Sequence, residues 1–262
     1  MDVMKIVSWN VNGIRACANK GAFTEYLDTH DPDILLLQET KAMPEQIPDH
    51  ILNPSGYYGA WHSAEKKGYS GVAILTKEKP IMVHEGLGIP KYDCEGRVII
   101  AQYPSFFLVN AYFPNGQRDS ERLQYKLDFY QDIFDYCQDL VQDGHNVIIA
   151  GDFNTAHQEI DLARPKENQG TSGFLPIERE WMDRIIHTYQ FCDTFRHFDT
   201  RDSQYSWWSY RAGARRKNVG WRIDYVFVNQ GMIDHVKEAF IHQSSMGSDH
   251  CPVGVVIEPK DH

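Results

Sequence analysis

Eight short runs rich in Val, Ile and Leu recur along this 262-residue chain, and they restrict its fold more than any other feature. They are "KIVSW", "DILLLQ", "GVAILT", "RVIIAQY", "FFLVNAYF", "NVIIAGDF", "RIDYVFV" and "PVGVVIE". Each is short, and most are followed at once by Asn or Pro, which is how strands bounded by turns read. Helical periodicity lies between some of them. From Ser120 to Val141, Leu123, Leu127, Tyr130, Phe134, Cys137 and Val141 share one face, with Gly144 as a stop. A second helix starts at Pro176, a favoured first-turn residue, and is expected to turn Ile177, Trp181 and Ile185 inward. Strands alternating with helices predict an α/β fold. No linker, low-complexity tract or charge block interrupts the pattern, so residues 1–262 are expected to form one domain.

No apolar run approaches the roughly 20 residues needed to cross a bilayer. The start, "MDVMKIVSWN", lacks the basic head and long apolar core of a secretion signal. The expectation is a soluble monomer, away from membranes, in the cytoplasm (on the nucleoid in a prokaryote). The five cysteines are odd in number and never spaced C-x-x-C, which argues against a disulfide framework or a structural zinc site. Cys251, between His250 and Pro252 at the start of a strand, reads as a small packing residue and not a nucleophile.

A net charge of −10 opposes whole-molecule attraction to a polyanion. One stretch breaks that trend: "SYRAGARRKNVGWR" holds Arg211, Arg215, Arg216, Lys217 and Arg222 without an acid. It is either a solvated basic loop or a local phosphate contact flanked by aromatics.

Several strands also end in polar residues. Asn10 and Asn12 follow the first run, Gln38 and Glu39 the second, and Tyr112 and Asn115 the fifth. Asp152 and Asn154 end the sixth, Asp224 lies in the seventh, and Asp249 and His250 precede the eighth. Taken singly, each is an ordinary turn former. Together, many oxygen donors with one histidine and no reactive serine or cysteine suggest a hard-cation site. Hydrolysis of a phosphodiester needs such a set: charge neutralisation, a base for water and support for the leaving oxygen. In this reading Glu39 with Asn10 holds Mg²⁺, Asp152 deprotonates water and Asn154 donates to the developing charge on phosphorus. Asp224 orients His250 against the phosphate, Tyr112 offers a phenol, and Asp249 holds a second metal or orients the cluster.

Seven stretches in order then resemble the exonuclease III/AP endonuclease family of DNA-repair enzymes. They are "SWNVNGIRA" (8–16), "PDILLLQETK" (32–41), "NAYFPNG" (110–116), "AGDFNTAHQEIDL" (150–162), "DTFRHF" with "YSWWSY" (193–210), "NVGWRIDYVFV" (218–228) and "GSDHCP" (247–252). The resemblance implies a four-layer α/β sandwich, two packed mixed β-sheets flanked by helices, with the active site at one end. It implies Mg²⁺-dependent cleavage, with Mn²⁺ a possible substitute, on the 5′ side of abasic sites in duplex DNA, leaving a 3′-hydroxyl. Removal of 3′ blocking groups and 3′-to-5′ exonuclease action accompany this in many members. It carries metal binding onto Asn10, Glu39, Asp152, Asn154 and Asp249, and catalysis onto Tyr112, Asp152, Asn154, Asp224 and His250. Asn12, Asn115 and Asn168 fall at substrate contacts, Trp207, Trp221 and Ile223 at a pocket for the flipped-out sugar, and Arg211 where some relatives enter the duplex. Departures from the family pattern are Asn12 for an Asp, Trp207 for a Phe and Asn229 for a Ser. Two alternatives stay open: another phosphoesterase of the same superfamily (an unspecific DNase or an inositol or lipid phosphatase), or a DNA-binding module that has lost catalysis.

Overall fold

The computed structural model describes residues 3–259. In chain order its strands are β1 (Met4–Asn10), β2 (Ile34–Gln38), β3 (Tyr58–His62), β4 (Val72–Thr76), β5 (Met82–Glu85), β6 (Val98–Gln102) and β7 (Phe107–Tyr112). They continue as β8 (Val147–Asp152), β9 (Phe191–Asp193), β10 (Trp207–Trp208), β11 (Gly220–Trp221), β12 (Asp224–Asn229), β13 (Val236–Ile241) and β14 (Val253–Ile257). One six-stranded sheet runs β13-β14-β1-β2-β4-β3 and the other β5-β6-β7-β8-β12-β9, while β10 and β11 form a separate ribbon. Both large sheets are mixed, with β1 parallel to β2 and β7 parallel to β8 among antiparallel neighbours.

Alternation along the interior strands explains the layering, because successive side chains point to opposite faces. Ile6, Ile34, Leu36 and Ile74 of the first sheet meet Ile99, Leu108, Ile148 and Val226 of the second between the sheets. Val7, Trp9, Leu35 and Leu37 turn outward onto Ile14, Phe23 and Tyr26 of two short helices, Ile14–Asn19 and Ala22–His30. Val109, Ile149 and Phe227 turn outward on the other side, onto Tyr130, Phe134, Met182 and Ile185. Apolar side chains on both faces of both sheets therefore give a four-layer α/β sandwich, as expected. Each fully buried aliphatic residue contributes about 1.5–3 kcal/mol through apolar surface removed from water.

The eight expected strands are the eight interior strands. The sheet edges β3, β5, β9 and β13 and the β10-β11 ribbon did not show in the apolar pattern, because one or both of their faces meet solvent. Met82 and Tyr58, for example, are exposed. Edge strands dilute the apolar signal with polar residues.

The long helix runs Ser120–Gln142, capped by Asp119, whose side chain accepts from the Arg122 N–H at 2.7 Å. Its apolar face is as expected, and Gly144 takes φ +88° just past its end. The second helix spans Pro176–His187 and buries Trp181, Met182 and Ile185. Ile177, expected to face inward, is 46% exposed. Glu178 takes the inward place, because its carboxylate accepts the N–H groups of Gly173 and Leu175 ahead of the helix.

The basic stretch is corrected more sharply. Arg222 is fully buried and gives two hydrogen bonds to Asp193, at 2.7 and 3.1 Å, and one to Asp161 at 2.8 Å. Arg215 donates to the carbonyls of Gln243, Ser245 and Ser248 and lies over the Trp208 ring. Both hold the fold from within. Of the five basic residues, Arg211, Arg216 and Lys217 remain exposed. Among the described residues no helix is long and apolar enough to cross a membrane.

Burial alone would raise the Asp161 carboxyl, but Arg222 and Arg196 hold it down at about 2. Removing Arg222 therefore strands buried negative charge beside the wall of the site described next. Arg222→Met is expected to cost about 3–5 kcal/mol in urea unfolding, the usual penalty for breaking a buried ion pair from one side. A loss below about 1 kcal/mol, the range of exposed pairs, would contradict this role.

Candidate active site

Parallel pairing sets the site. The C-terminal ends of β1, β2, β7 and β8 and the N-terminal end of antiparallel β12 all emerge at one end of the sandwich. Register places Asn10 beside Gln38, Tyr112 beside Asp152 and Asp152 beside Asp224. His250 arrives from the turn before β14 and bridges to Trp207 of the ribbon. These ends surround a cavity of about 930 Å³. Every residue singled out as catalytic, metal-binding or substrate-binding lines it except Asn10 and Asp224. Those two stand directly behind the lining residues.

Asn10 is the link between the acids. Its side-chain amide donates to Glu39 Oε1 and to Asp152 Oδ2, both at 2.9 Å, while its Oδ1 accepts the Asn12 N–H. Glu39 is also paired with Lys41 at 2.9 Å. Glu39 and Lys41 adopt φ of 50° and 52°, a left-handed backbone that costs a residue with a Cβ about 1–3 kcal/mol. Hydrogen bonds from the Thr40 and Lys41 N–H groups to Gly71 and Ser70 hold that turn in place. Burial pushes the Glu39 carboxyl up, but Lys41 and the Asn10 hydrogen bond outweigh it and hold it below its ordinary value. The Tyr112 phenol is driven far above its usual range by burial and by the neighbouring Glu39 charge.

The second half of the site is an imidazole between two acids. His250 Nδ1 donates to Asp224 Oδ2 at 2.8 Å, and Nε2 lies 3.8 Å from Asp152 Oδ2. Burial opposes a charge on the ring, but Asp224 and Asp152 overcome it and raise its pKa to about 10. Burial and then Asp224 raise the Asp152 carboxyl to about 7, against the opposing pull of His250. Asp152 Oδ1 accepts the backbone N–H of Asn154 at 2.8 Å, and Asn154 Nδ2 donates to the Phe113 carbonyl.

Three supporting residues carried no separate signal. Ser206 Oγ donates to Asp224 Oδ2 at 2.6 Å and accepts the Ile223 and Asp224 N–H groups. Ser248 Oγ donates to the Asn10 carbonyl and accepts the His250 N–H. Lys41 is the counter-ion of Glu39. All three lie inside quoted motifs, but a small hydroxyl or a lysine beside a turn looks like surface.

Asp249 stands apart from the acid cluster. Its carboxylate accepts from Asn12 Nδ2 at 3.0 Å and from the Trp207 indole N–H at 3.1 Å. Trp207 and Trp221 face each other across the ribbon, edge to face at 6.3 Å, with Ile223, Phe174 and Leu162 beneath. This is a small apolar recess opening off a polar cavity. Trp208, by contrast, is buried behind it with Tyr205 and Cys251. Cys251 is fully buried and its thiol is pushed far up by that burial, which removes it as a nucleophile. Asn115 and Asn168 line the same cavity, their side chains bonded to the Gln117 N–H and the Arg164 carbonyl, and Arg211 lines it as an exposed residue.

Glu39, Asp152 and His250 offer donor atoms that all lie within 4.8 Å of one another. With His250 cationic, the donors left for a metal are carboxylate oxygens, the set that suits a hard divalent cation. Metal-free protein is expected to show its His250 ring protonated at pH 7.5 in an NMR titration, and Asp224→Asn should lower that pKa because a stabilising anion is lost. A neutral ring in the unaltered protein would contradict the described electrostatics.

Residues 7–250 match the model of the endonuclease/exonuclease/phosphatase family. The chain is 44% identical over 255 residues to an exodeoxyribonuclease of Bacillus subtilis (strain 168), covering 97% of this chain and 99% of that protein. It is 42% identical over 258 residues to the DNA repair nuclease APEX1 of Danio rerio, covering 97% and 82%. Among solved structures, the 3′ phosphatase NExo from Neisseria bound to a product DNA hairpin superposes with a TM-score of 0.89 at 28% identity, covering 97% and 99%. The AP endonuclease LMAP of Leishmania major does so at 0.89 and 29%, covering 98% and 88%. Catalytic end, layered sheets and relatives agree: the chain belongs to the endonuclease/exonuclease/phosphatase family, in its exonuclease III/AP endonuclease branch.

Proposed function

We propose that this protein is a DNA-repair hydrolase that cuts the phosphodiester 5′ to abasic sites in duplex DNA, leaving a 3′-hydroxyl, and also acts on 3′ ends. The observation that carries this reading is the meeting, in one cavity, of the Glu39–Asn10–Asp152 cluster, the Asp224–His250 pair and the Trp207–Trp221 recess. The first two supply phosphodiester chemistry. The third selects the substrate, because a sugar without a base leaves the helix at little cost and fits an aromatic slot.

Each residue then has a task. Glu39 is the carboxylate that holds Mg²⁺, or Mn²⁺ in its place. Bound there, the ion would supply neutralisation of phosphate charge and stabilisation of the leaving oxygen. Asn10 fixes the Glu39 and Asp152 carboxylates through its amide N–H groups, and its oxygen, which accepts one N–H from Asn12, keeps a second lone pair for the ion. Asp152 takes the proton from the attacking water, and a carboxylate lifted towards neutrality is a better base than an ordinary one. His250, cationic and with Nε2 facing the cavity, binds a phosphate oxygen, while Asp224 fixes its tautomer and orientation. Tyr112, a phenol at working pH, donates to a phosphate oxygen, and Asn154 donates to the charge that develops on phosphorus. Asp249 aligns Asn12 and Trp207, so the sugar recess and the acid cluster share one frame. Asn115, Asn168 and Arg211 grip the duplex along the rim. Residues 1–262 work as one catalytic unit and as a monomer, in the cytoplasm and free of membranes.

Purified protein with Mg²⁺ should nick a duplex bearing one tetrahydrofuran abasic analogue on its 5′ side, and EDTA should abolish the cut. No nick with metal present refutes the assignment. His250→Ala should lower kcat by about 10²–10⁴-fold, the range for loss of a proton-transferring or oxyanion-stabilising group. Duplex affinity should change far less; equal losses in both would show that the imidazole mainly binds.

A further inference from the structure

The apolar face of the helix Ser120–Gln142 carries a lysine that packing does not explain. Lys126 is fully buried. Its ammonium donates to Glu178 Oε1 at 2.6 Å and to the Asn154 carbonyl at 2.7 Å. Glu178 is equally buried, and its carboxylate is saturated from the other side by Ser172 Oγ at 3.0 Å and by the N–H groups of Gly173 and Leu175. Neither charge lines the cavity. Taking two ions out of water is costly, and an apolar pair of similar volume is often as stable. The geometry that this pair enforces is the better account of its presence.

That geometry has two arms. The first is Asn154, which sits at φ +51°, gives its N–H to Asp152 and its side-chain amide to the Phe113 carbonyl. Lys126 holds the Asn154 carbonyl, the remaining polar group of that residue's backbone. The second arm is the segment 172–175 that backs the sugar recess. Gly173 approaches so closely that a Cβ there would lie 3.2 Å from the Asn154 carbonyl oxygen and 3.3 Å from the Trp221 ring. Its carbonyl accepts the Ala156 N–H at 2.8 Å, and Phe174 meets Trp221 edge to face at 6.3 Å.

We propose that the buried Lys126–Glu178 pair is a positioning device that fixes Asn154 relative to the Trp221 wall, and so sets the separation between the phosphate being cut and the pocket that receives the sugar. This rests on the functional reading given above. Neither residue touches substrate. Both act through Asn154 and Gly173, on a geometry in which a misplacement of about 1 Å costs on the order of 10²-fold in rate.

The test separates positioning from mere stability. Lys126→Met leaves Glu178 buried and unpaired, and should lower both the urea midpoint and kcat on an abasic duplex. The double variant Lys126→Met/Glu178→Gln removes both charges while retaining an acceptor for the Gly173 N–H, and should recover most of the midpoint. Its kcat should nevertheless stay about 10–100-fold low, with KM changed less than about threefold. A double variant that regains both the midpoint and kcat overturns the proposal, since the pair would then serve only the fold. Lys126→Arg keeps the charge pair but displaces the donor from the Asn154 carbonyl, and it decides the matter if the double variant stays unstable. A folded Lys126→Arg protein with reduced kcat supports positioning, and one with unaltered kcat overturns it. Unaltered protein that fails to nick the duplex refutes the functional reading instead, so the two failures are separable.

Discussion

Carboxylates crowded at one end of the sandwich make the central problem of this structure. Glu39, Asp152 and Asp224 converge where β2, β8 and β12 terminate or begin. Two unit charges 4–5 Å apart at an effective dielectric of about 20 repel by roughly 3–4 kcal/mol. The neighbours answer that repulsion one by one. Lys41 faces Glu39, the Asn10 amide spans Glu39 and Asp152, and the His250 ring sits between Asp152 and Asp224. What is left uncompensated shows in the raised Asp152 carboxyl and in Asp224 Oδ1, which is buried without a partner. Excess negative charge held rigidly in a partly dry corner is what a divalent cation binds.

The sandwich makes that arrangement durable. Interior strands buried on both faces do not slip, because a one-residue shift would exchange the inter-sheet core for the helix-facing one. Asn10, Tyr112, Asp152 and Asp224 are therefore fixed by register, and the residues that need freedom of approach come from turns. Glu39, Lys41 and Asn154 all take left-handed backbone there. Gly151 shows how tight the scaffold is: a Cβ at that position would fall 1.8 Å from the Ala111 carbonyl oxygen, so β7 and β8 meet more closely than any side chain would allow. Outside this frame, the β10-β11 ribbon carries the apolar Trp207–Trp221 recess, tied back through Trp207 to Asp249.

How much of this was legible depended on burial. Ile148 and Ile149 face opposite layers yet are both apolar, so β8 reads as an unbroken run; Met82 to Glu85 of β5, half in water, reads as nothing in particular. The ends of strands were legible because oxygen-bearing side chains accumulate there. Their division of labour was not. Asn10 reads as a cation ligand in the sequence and Asp249 as a ligand or an orienting group; that the Asn10 amide also ties Glu39 to Asp152, and that Asp249 also ties Asn12 to Trp207, no pattern announces. Arg222 reads in the sequence as part of a solvated loop or a phosphate contact, because charge patterning cannot reveal that Asp161 and Asp193, 61 and 29 residues away, lie against it. Lys126 and Glu178 share the same difficulty: each is a charged residue on an amphipathic helix, and only the fold makes them a buried pair.

All of the chemistry proposed for this protein requires Glu39 to hold a cation beside Asp152, with Asn10 fixing both carboxylates. Titration of metal-free protein with Mn²⁺, followed by the loss of its free-ion electron paramagnetic resonance signal, reads that site without any substrate. Saturable binding that weakens at least about tenfold in Glu39→Gln, with the protein still folded, is the predicted result, a fall of the size that removal of a ligand or its support produces. Undiminished Mn²⁺ affinity in Glu39→Gln would contradict that placement of the cation.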